Sequence, residues 1–266
     1  MNDTPATTAH DPASAALLGG VIHLENLVVG RAGLPLTRPI EARFQAGSIW
    51  QISGVNGSGK TSLLRVLAGL LPAYAGRVTQ SWLTGQPRAV YGFDGDWQRQ
   101  VAWVPVTPAF KPGPTVNQVL ALSHPGAASH GANQRRLAEA CDHWGLAAIA
   151  DQPVQYLSAG QRKRLDLARL MLDPRPVWLL DEPTVTLDAQ ARKTLALSLD
   201  HHRQQGGVTI MASHDDGPVT RDVNTLVLDR LYPGDIALDP APGPAVGPLS
   251  APIAEGDETP AAGVAS

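Results

Sequence analysis

Residues 54–61 constrain the fold of this chain more than any other segment, because GVNGSGKT matches the pattern G-x-x-x-x-G-K-[ST] without exception. Residues 48–53 before it have the apolar character of a strand, and leucines at helical spacing follow it. A glycine turn between a strand and a helix N-terminus directs backbone N–H groups to one point, where they bind anions. An ordinary Gly/Ser turn is the alternative, but the flanking strand and helix favour a site for nucleoside triphosphate.

Each residue type in this phosphate loop has a chemical reason. Glycines let the backbone approach the phosphates, a lysine reaches the β- and γ-phosphates, and a hydroxyl is a ligand for Mg²⁺. We therefore expect the nucleotide to contact Gly54, Val55, Asn56, Gly57, Ser58, Gly59, Lys60, Thr61 and Ser62, with Thr61 also binding the metal.

Composition indicates a globular protein without a general affinity for nucleic acid. The 266 residues are 43% hydrophobic, which is enough for a buried core, and 21 basic against 24 acidic residues leave a net charge of −3. The single cysteine, Cys141, excludes an internal disulfide. Its spacing with Leu137 and Trp144 predicts the buried face of a helix.

The two ends of the chain have no periodic pattern. Residues 1–20 and the Pro/Ala-rich residues 232–266 are expected to be a disordered leader and tail around one structured domain, 21–231. The first thirty residues contain no Lys or Arg, unlike a secretory signal or transit peptide. No segment approaches the roughly 18 apolar residues of a membrane span, so work at a membrane would need a partner.

The pattern of apolar residues predicts an α/β fold with three parts. Short alternating segments at 21–29 and 40–44 predict an N-terminal antiparallel β subdomain, and residues 111–158 predict a helical subdomain. Buried apolar segments at 48–53, 177–180 and 208–212 predict a parallel core sheet of the phosphate-loop NTPase type.

Polar residues follow two of these core strands. Asp181 and Glu182 come directly after one strand, and His214 comes shortly after the other. Ligands of open α/β sheets bind at the carboxyl ends of the strands, which favours a function for all three side chains. We expect the remaining histidines, including the pair His201 and His202 on a helix surface, to be solvated or capping.

Residues 157–161, LSAGQ, open a further predicted helix. Ser158 and Gln161 fit the S-x-x-Q capping box, in which each side chain bonds to the backbone of the other residue. On these five residues alone, a structural helix start and a functional motif are equally good interpretations.

Taken in order, these motifs resemble the ATP-binding cassette (ABC) family across about residues 21–230. The phosphate loop, LSAGQ, LLDEPT at 179–184, Asp188 and His214 occur in that family's order. LSAGQRKRLDLARL with WLLDEPTVTLD, and later HHRQQGGVTIMASHDD, look most like the ATP-binding subunits of haem exporters used in cytochrome c maturation.

The resemblance implies a role for each polar residue at the hydrolytic site. Lys60 would neutralise the phosphate oxygens, and Asp181 would hold Mg²⁺ together with Thr61. Glu182 would polarise the attacking water, since its carboxylate is ionised at neutral pH. His214 would touch the γ-phosphate. Lys60, Glu182 and His214 are thus the expected catalytic residues.

The resemblance also implies a head-to-tail homodimer with ATP between one subunit's phosphate loop and the other subunit's LSAGQ segment. Ser158, Gly160 and Gln161 would contact the nucleotide from the second subunit, at the positive end of a helix. Asp188 would link the two sites across the dimer. A separate integral membrane permease would dock near residues 106–120, and no nucleic acid partner is expected.

Two positions depart from the family pattern. Arg31 stands where most cassettes carry an aromatic residue, and its planar guanidinium could stack on adenine instead. Val106 stands where a Gln or His is usual, and valine cannot bind Mg²⁺ or orient water. We expect reduced rather than absent hydrolysis; an alignment shifted to Thr107 stays open.

These implications predict an ATP- and Mg²⁺-dependent ATPase at the cytoplasmic face of the inner membrane, serving a haem exporter. Export of another substrate is the first alternative, because a cassette subunit rarely contacts the cargo. A soluble cassette ATPase, or a regulatory subunit that hydrolyses weakly, is the second.

Overall fold

The computed structural model describes residues 19–82, 86–90, 95–123, 130–173, 175–213 and 220–231, and no side chains at 130–133. The expected leader up to residue 18, His214 and the expected tail from residue 232 lie outside the described residues.

The elements follow one another in the order that the sequence pattern predicts. The strands are β1 (Val21–Val28), β2 (Gly30–Arg31), β3 (Leu34–Pro35), β4 (Ile40–Gln45), β5 (Ile49–Ser53), β6 (Ala75–Gln80), β7 (Arg88–Val90), β8 (Val101–Val104), β9 (Val177–Asp181), β10 (Val208–Ala212) and β11 (Val223–Val227). The helices are α1 (Lys60–Leu67), α2 (Gly95–Gln98), α3 (Val116–Leu122), α4 (His130–His143), α5 (Ala159–Leu172) and α6 (Ala189–Gln204), with 3₁₀ turns at Ala147–Ile149 and Val154–Tyr156.

The predicted parallel core is a five-stranded sheet in the order β11-β5-β10-β9-β8. All four strand pairs are parallel, and Ala212 pairs with both Ile52 and Asp181. Because parallel strands end at the same edge, the residues that follow β5, β9 and β10 meet there. This register brings the phosphate loop next to Asp181.

The N-terminal strands form a separate four-stranded antiparallel sheet in the order β4-β1-β6-β7. Alternate residues of β1, such as Ile22 and Leu24, are fully buried, as a strand with one solvated face requires. They belong to one hydrophobic cluster with α1 and with Val177, Leu179 and other residues of the parallel sheet.

The opposite face of the parallel sheet packs against helices. Trp178 and Leu180 of β9 belong to a second cluster with residues of α3, α4, α5 and α6, so successive residues of one strand supply two cores. Cys141 and Trp144 are buried in it, which confirms the predicted helix face. Among the described helices, none is long and apolar enough to cross a bilayer.

His202 is buried, and the prediction that it lies on a helix surface is wrong. Its Nε2 lies 3.0 Å from the backbone oxygen of Arg175 and its Nδ1 lies 3.1 Å from Oγ1 of Thr209. The ring stacks on Trp178 with centroids 3.8 Å apart. The spacing with the buried Leu195 marks the inner face of α6 and is the signal that could have found it. Its neighbour His201 is exposed, as predicted.

Candidate functional site

The phosphate loop has the backbone shape that its glycines permit. Gly54, Gly57 and Gly59 have φ angles of 143°, 82° and 100°, in the region that L-residues avoid. A Cβ atom at Gly54 would lie 2.5 Å from the backbone oxygen of Leu228. Because that neighbour is backbone, the loop can be built only with glycine at this position. Lys60 begins α1 directly after the loop.

Lys60 and Ser58 give the loop its polar interior. The Lys60 Nζ donates hydrogen bonds to the backbone oxygens of Gly54 at 2.6 Å and of Val55 at 3.2 Å. Burial lowers the pKa of Lys60, and the charges of Glu182 and Asp181 partly oppose this shift. Ser58 Oγ is buried and has no hydrogen-bond partner among the described residues. An orphaned hydroxyl beside a buried ammonium at a helix N-terminus fits a phosphate group.

The remaining residues of the loop segment differ in exposure. Val55, Asn56 and Gly57 are exposed, whereas Thr61 and Ser62 are half-buried in the first turn of α1. The exposed residues form the outer rim of the loop, and the buried ones form its floor.

Thr61 and Asp181 meet although 120 positions separate them in the chain. The Thr61 hydroxyl donates to Oδ1 of Asp181 at 3.1 Å. Within the described residues, no three His, Cys, Asp or Glu side chains form a cluster that could hold a metal ion. Hydroxyl and carboxylate oxygens fit Mg²⁺, which binds through one or two carboxylates together with phosphate oxygens and water rather than in an all-protein cage.

Glu182 follows β9 in an unusual backbone conformation. Its φ is 47°, in the left-handed region, and its N–H donates to the backbone oxygen of Ala212 at 3.0 Å. The side chain is only 8% exposed and close enough to Lys60 to affect the pKa of that residue. Left-handed backbone at a non-glycine residue costs about 1–3 kcal/mol and clusters at functional sites, which supports a chemical role for Glu182.

The LSAGQ segment forms the capping box that its sequence predicts. Ser158 is the N-cap of α5, its Oγ accepts from the Gln161 N–H at 3.2 Å, and Gln161 Oε1 accepts from the Ser158 N–H at 2.7 Å. A Cβ atom at Gly160 would lie 2.8 Å from the backbone oxygen of Thr186. The helix N-terminus is therefore held against the loop that follows Glu182, and Ser158 stays exposed.

Asp188 has a structural contact in this loop. It is the N-cap of α6, and its Oδ1 accepts from the Ala191 N–H at 2.7 Å. The carboxylate is thereby held at the N-terminal end of a helix, where its charge is favourable.

The two departures from the family pattern lie on the surface. Arg31 is exposed on the β2–β3 hairpin, whose central residues Ala32 and Gly33 have φ angles of 52° and 77°, as a type I′ turn requires. The Val106 side chain is 40% exposed, and it carries no polar atom toward the phosphate loop.

Two basic residues near the site have no signal in the sequence. The Arg230 guanidinium lies about 4 Å from where a Cβ of Gly57 would stand, because residue 230 bridges to Thr37 beside the loop. Lys163 is buried behind Asp181. Only the tertiary contacts place these two residues at the site.

The fold and the site define a phosphate-loop nucleoside triphosphatase with an additional antiparallel sheet. Residues 37–185 match the family described as ABC transporter. The chain belongs to this family and is an ATP-binding cassette ATPase.

Curated relatives are similar along most of the chain. The cytochrome c biogenesis ATP-binding export protein CcmA of Cereibacter sphaeroides is 38% identical over 72% of this chain and 81% of that protein. A CcmA protein of Cupriavidus metallidurans is 35% identical over 80% of this chain and 98% of its own length.

Solved structures show the same fold at lower identity. One is a post-hydrolysis dimer of an ATP-binding cassette bound to ADP and phosphate, with TM-score 0.64 and 21% identity over 79% of this chain and 97% of that one. Another is a bacterial Atm1-family ABC exporter with ATP bound, with TM-score 0.68 and 22% identity over 83% of this chain and 39% of that one.

Proposed function

We propose that this chain is the ATP-hydrolysing subunit of a membrane exporter, and that the exporter carries haem for cytochrome c biogenesis. The observation that supports hydrolysis most directly is the 3.1 Å contact of Thr61 with Asp181, beside Lys60 and Glu182. Support for the cargo comes from the curated relatives, whose names state ATP-binding export in cytochrome c biogenesis.

In this proposal the site residues divide the work of phosphoryl transfer. Lys60 leaves its two loop carbonyls and pairs with the β/γ-phosphate oxygens, while the loop N–H groups and Ser58 Oγ bind the remaining oxygens. Thr61 and Asp181 hold Mg²⁺, which supplies charge neutralisation on the phosphates when bound. The Glu182 carboxylate orients the attacking water and accepts its proton.

Two copies of the chain complete each ATP site. Ser158 is exposed at the positive end of α5, so it is available to the nucleotide held by a second copy. Gly160 and Gln161 accompany it, and Asp188 couples the two sites across the dimer. His214 contacts the γ-phosphate, and Arg31 stacks on the adenine.

The membrane permease docks at the free edge of the parallel sheet. A cavity of about 420 Å³ lies beside β8 and α5, with Leu70 and Leu122 among its exposed lining residues. Asp166 also lines it, and its buried Oδ2 has no hydrogen-bond partner among the described residues. An apolar rim around an unsatisfied acceptor suits a protein segment that brings a donor.

The working unit is the cassette domain of residues 21–231, with its helical subdomain at about 111–158 and a leader and tail outside it. It acts as a peripheral subunit at the cytoplasmic face of the inner membrane. Nucleic acid is not a partner in this proposal, since the net charge is −3.

The variant Glu182→Gln tests the enzymatic part. We expect turnover to fall at least 100-fold while ATP binding persists, so that size-exclusion chromatography with ATP shows a stable dimer. Glu139→Gln, an exposed acid on α4, is the matched control and should retain wild-type turnover. Wild-type turnover in Glu182→Gln, or a monomer at saturating ATP, would contradict the proposal.

The cargo is tested in cells that carry the same two variants. Loss of haem-containing cytochrome c with Glu182→Gln, and normal levels with Glu139→Gln, are expected. Normal cytochrome c in both strains would favour export of another substrate.

One observation favours a second candidate function, a cassette that binds ATP and hydrolyses it weakly. Val106 offers neither a metal ligand nor a group to orient water. This candidate predicts ATP-dependent dimers with negligible turnover in the wild type.

A further inference from the structure

Lys163 is a buried lysine that bonds only to backbone oxygens of other segments. Its Nζ donates to Pro105 at 2.8 Å, to Asp181 at 3.2 Å and to Val106 at 3.4 Å. The residue is 1% exposed. These three acceptors match the three donors of an ammonium group.

Burial of this ammonium is costly, so its retention needs an explanation. Desolvation lowers the pKa of Lys163 to about 8, and the negative charges of Asp166, Asp181 and Glu182 oppose the shift. A buried apolar side chain of similar length would avoid this cost. Lysine instead joins three segments that have no other polar link through Val106, whose side chain is apolar.

The three segments belong to different parts of the proposed ATPase. Lys163 lies on α5, little more than one turn after the N-cap Ser158, which faces the second copy. Residues 105 and 106 follow β8 at the edge of the docking cavity. Asp181 ends β9 and pairs with Thr61. A displacement of α5 is therefore carried directly to the backbone of Asp181.

We propose that Lys163 is a positioning residue that couples the N-terminus of α5 to the hydrolytic carboxylates of its own subunit, through the backbone of residues 105–106. The proposal rests on the proposed function, because α5 senses a nucleotide only in the ATP-bound dimer. Occupation of one ATP site then aligns Asp181 and Glu182 in the other site. The two sites hydrolyse ATP cooperatively as a result.

The test compares the full chain with Lys163→Met, Lys163→Arg and the control Lys193→Met. Lys193 is exposed on α6. The readouts are the Kd of a fluorescent ATP analogue, kcat, KM and the Hill coefficient for ATP. Wild type and Lys193→Met should show a Hill coefficient above 1, with about 2 as the limit for two coupled sites.

Lys163→Met should lower kcat at least tenfold and bring the Hill coefficient to 1, with the nucleotide Kd within twofold of wild type. Lys163→Arg keeps the donors and should recover part of both kcat and cooperativity. A purely structural role would not separate kcat from Kd in this way.

Wild-type kcat and cooperativity in Lys163→Met would overturn the proposal while the proposed function stands. If Lys163→Met does not fold, Lys163→Gln decides with the same readouts, because the amide keeps a donor without the charge; wild-type values again overturn the proposal. A wild-type chain that binds ATP without hydrolysing it would instead refute the proposed function, and this proposal with it.

Discussion

The buried His202 makes the stability of this protein sensitive to mild acid. Its geometry requires the neutral ring: Nε2 donates to the Arg175 carbonyl, so Nδ1 accepts from the Thr209 hydroxyl. Burial lowers its pKa from 6.5 to about 4. Protonation of the folded protein is thus resisted, whereas the unfolded chain takes up its proton near pH 6.5.

The sign and size of the effect follow from proton linkage. Because the unfolded chain binds more protons between these two pKa values, the free energy of unfolding falls as the pH falls through this window. At pH 7 the contribution is close to zero. With one pKa unit equal to about 1.4 kcal/mol, the loss is about 2 kcal/mol at pH 5 and about 3 kcal/mol at pH 4.

The assay is urea unfolding followed by tryptophan fluorescence at pH 7, 5 and 4. His202→Gln keeps a donor and an acceptor but does not titrate, so it should be less stable than wild type at pH 7, by about 1–2 kcal/mol. This deficit should shrink or reverse at pH 4. The control His201→Gln, at an exposed position, should follow wild type at every pH. Parallel pH curves for wild type and His202→Gln would refute the reasoning.

Three further predictions concern the ATP site and the docking cavity. Val106→Gln should raise turnover at saturating ATP, whereas equal rates would show that the valine is no defect. Gly54→Ala should lower ATP affinity at least tenfold in a nucleotide-binding assay, because its Cβ would lie 2.5 Å from the Leu228 carbonyl; unchanged affinity would contradict the loop geometry. Leu122→Asp, at a side chain 84% exposed beside the cavity, should prevent assembly with the permease but keep the ATPase rate of the isolated subunit; Lys111→Met, also exposed, is the control and should assemble normally.

Local patterns predicted the elements of this fold well. The strand, glycine turn and helix around residues 54–61 lie where the sequence predicts them, as does the buried strand ending at Asp181. The Ser158 capping box is confirmed bond for bond. These features depend on neighbours within a few residues, whose spacing is visible in the sequence.

His202 and Lys163 show where this kind of reasoning stops. A histidine and a lysine are polar in any sequence pattern, and their burial depends on partners that other segments supply. Thr209 lies on the next strand, and Pro105 lies 58 positions before Lys163. Such partners become neighbours only when the sheet is assembled.

The sequence by itself therefore determined the class of chemistry: a phosphate loop, a strand ending in two acids, and a capped helix of the ABC type. Only the tertiary structure decided which of these groups touch. The parallel register brings Thr61 against Asp181, the 105–106 backbone against Lys163, and Arg230 beside the phosphate loop. The physical reason is that local spacing encodes helix and strand geometry, whereas contacts between distant segments depend on how the two sheets and the helices pack.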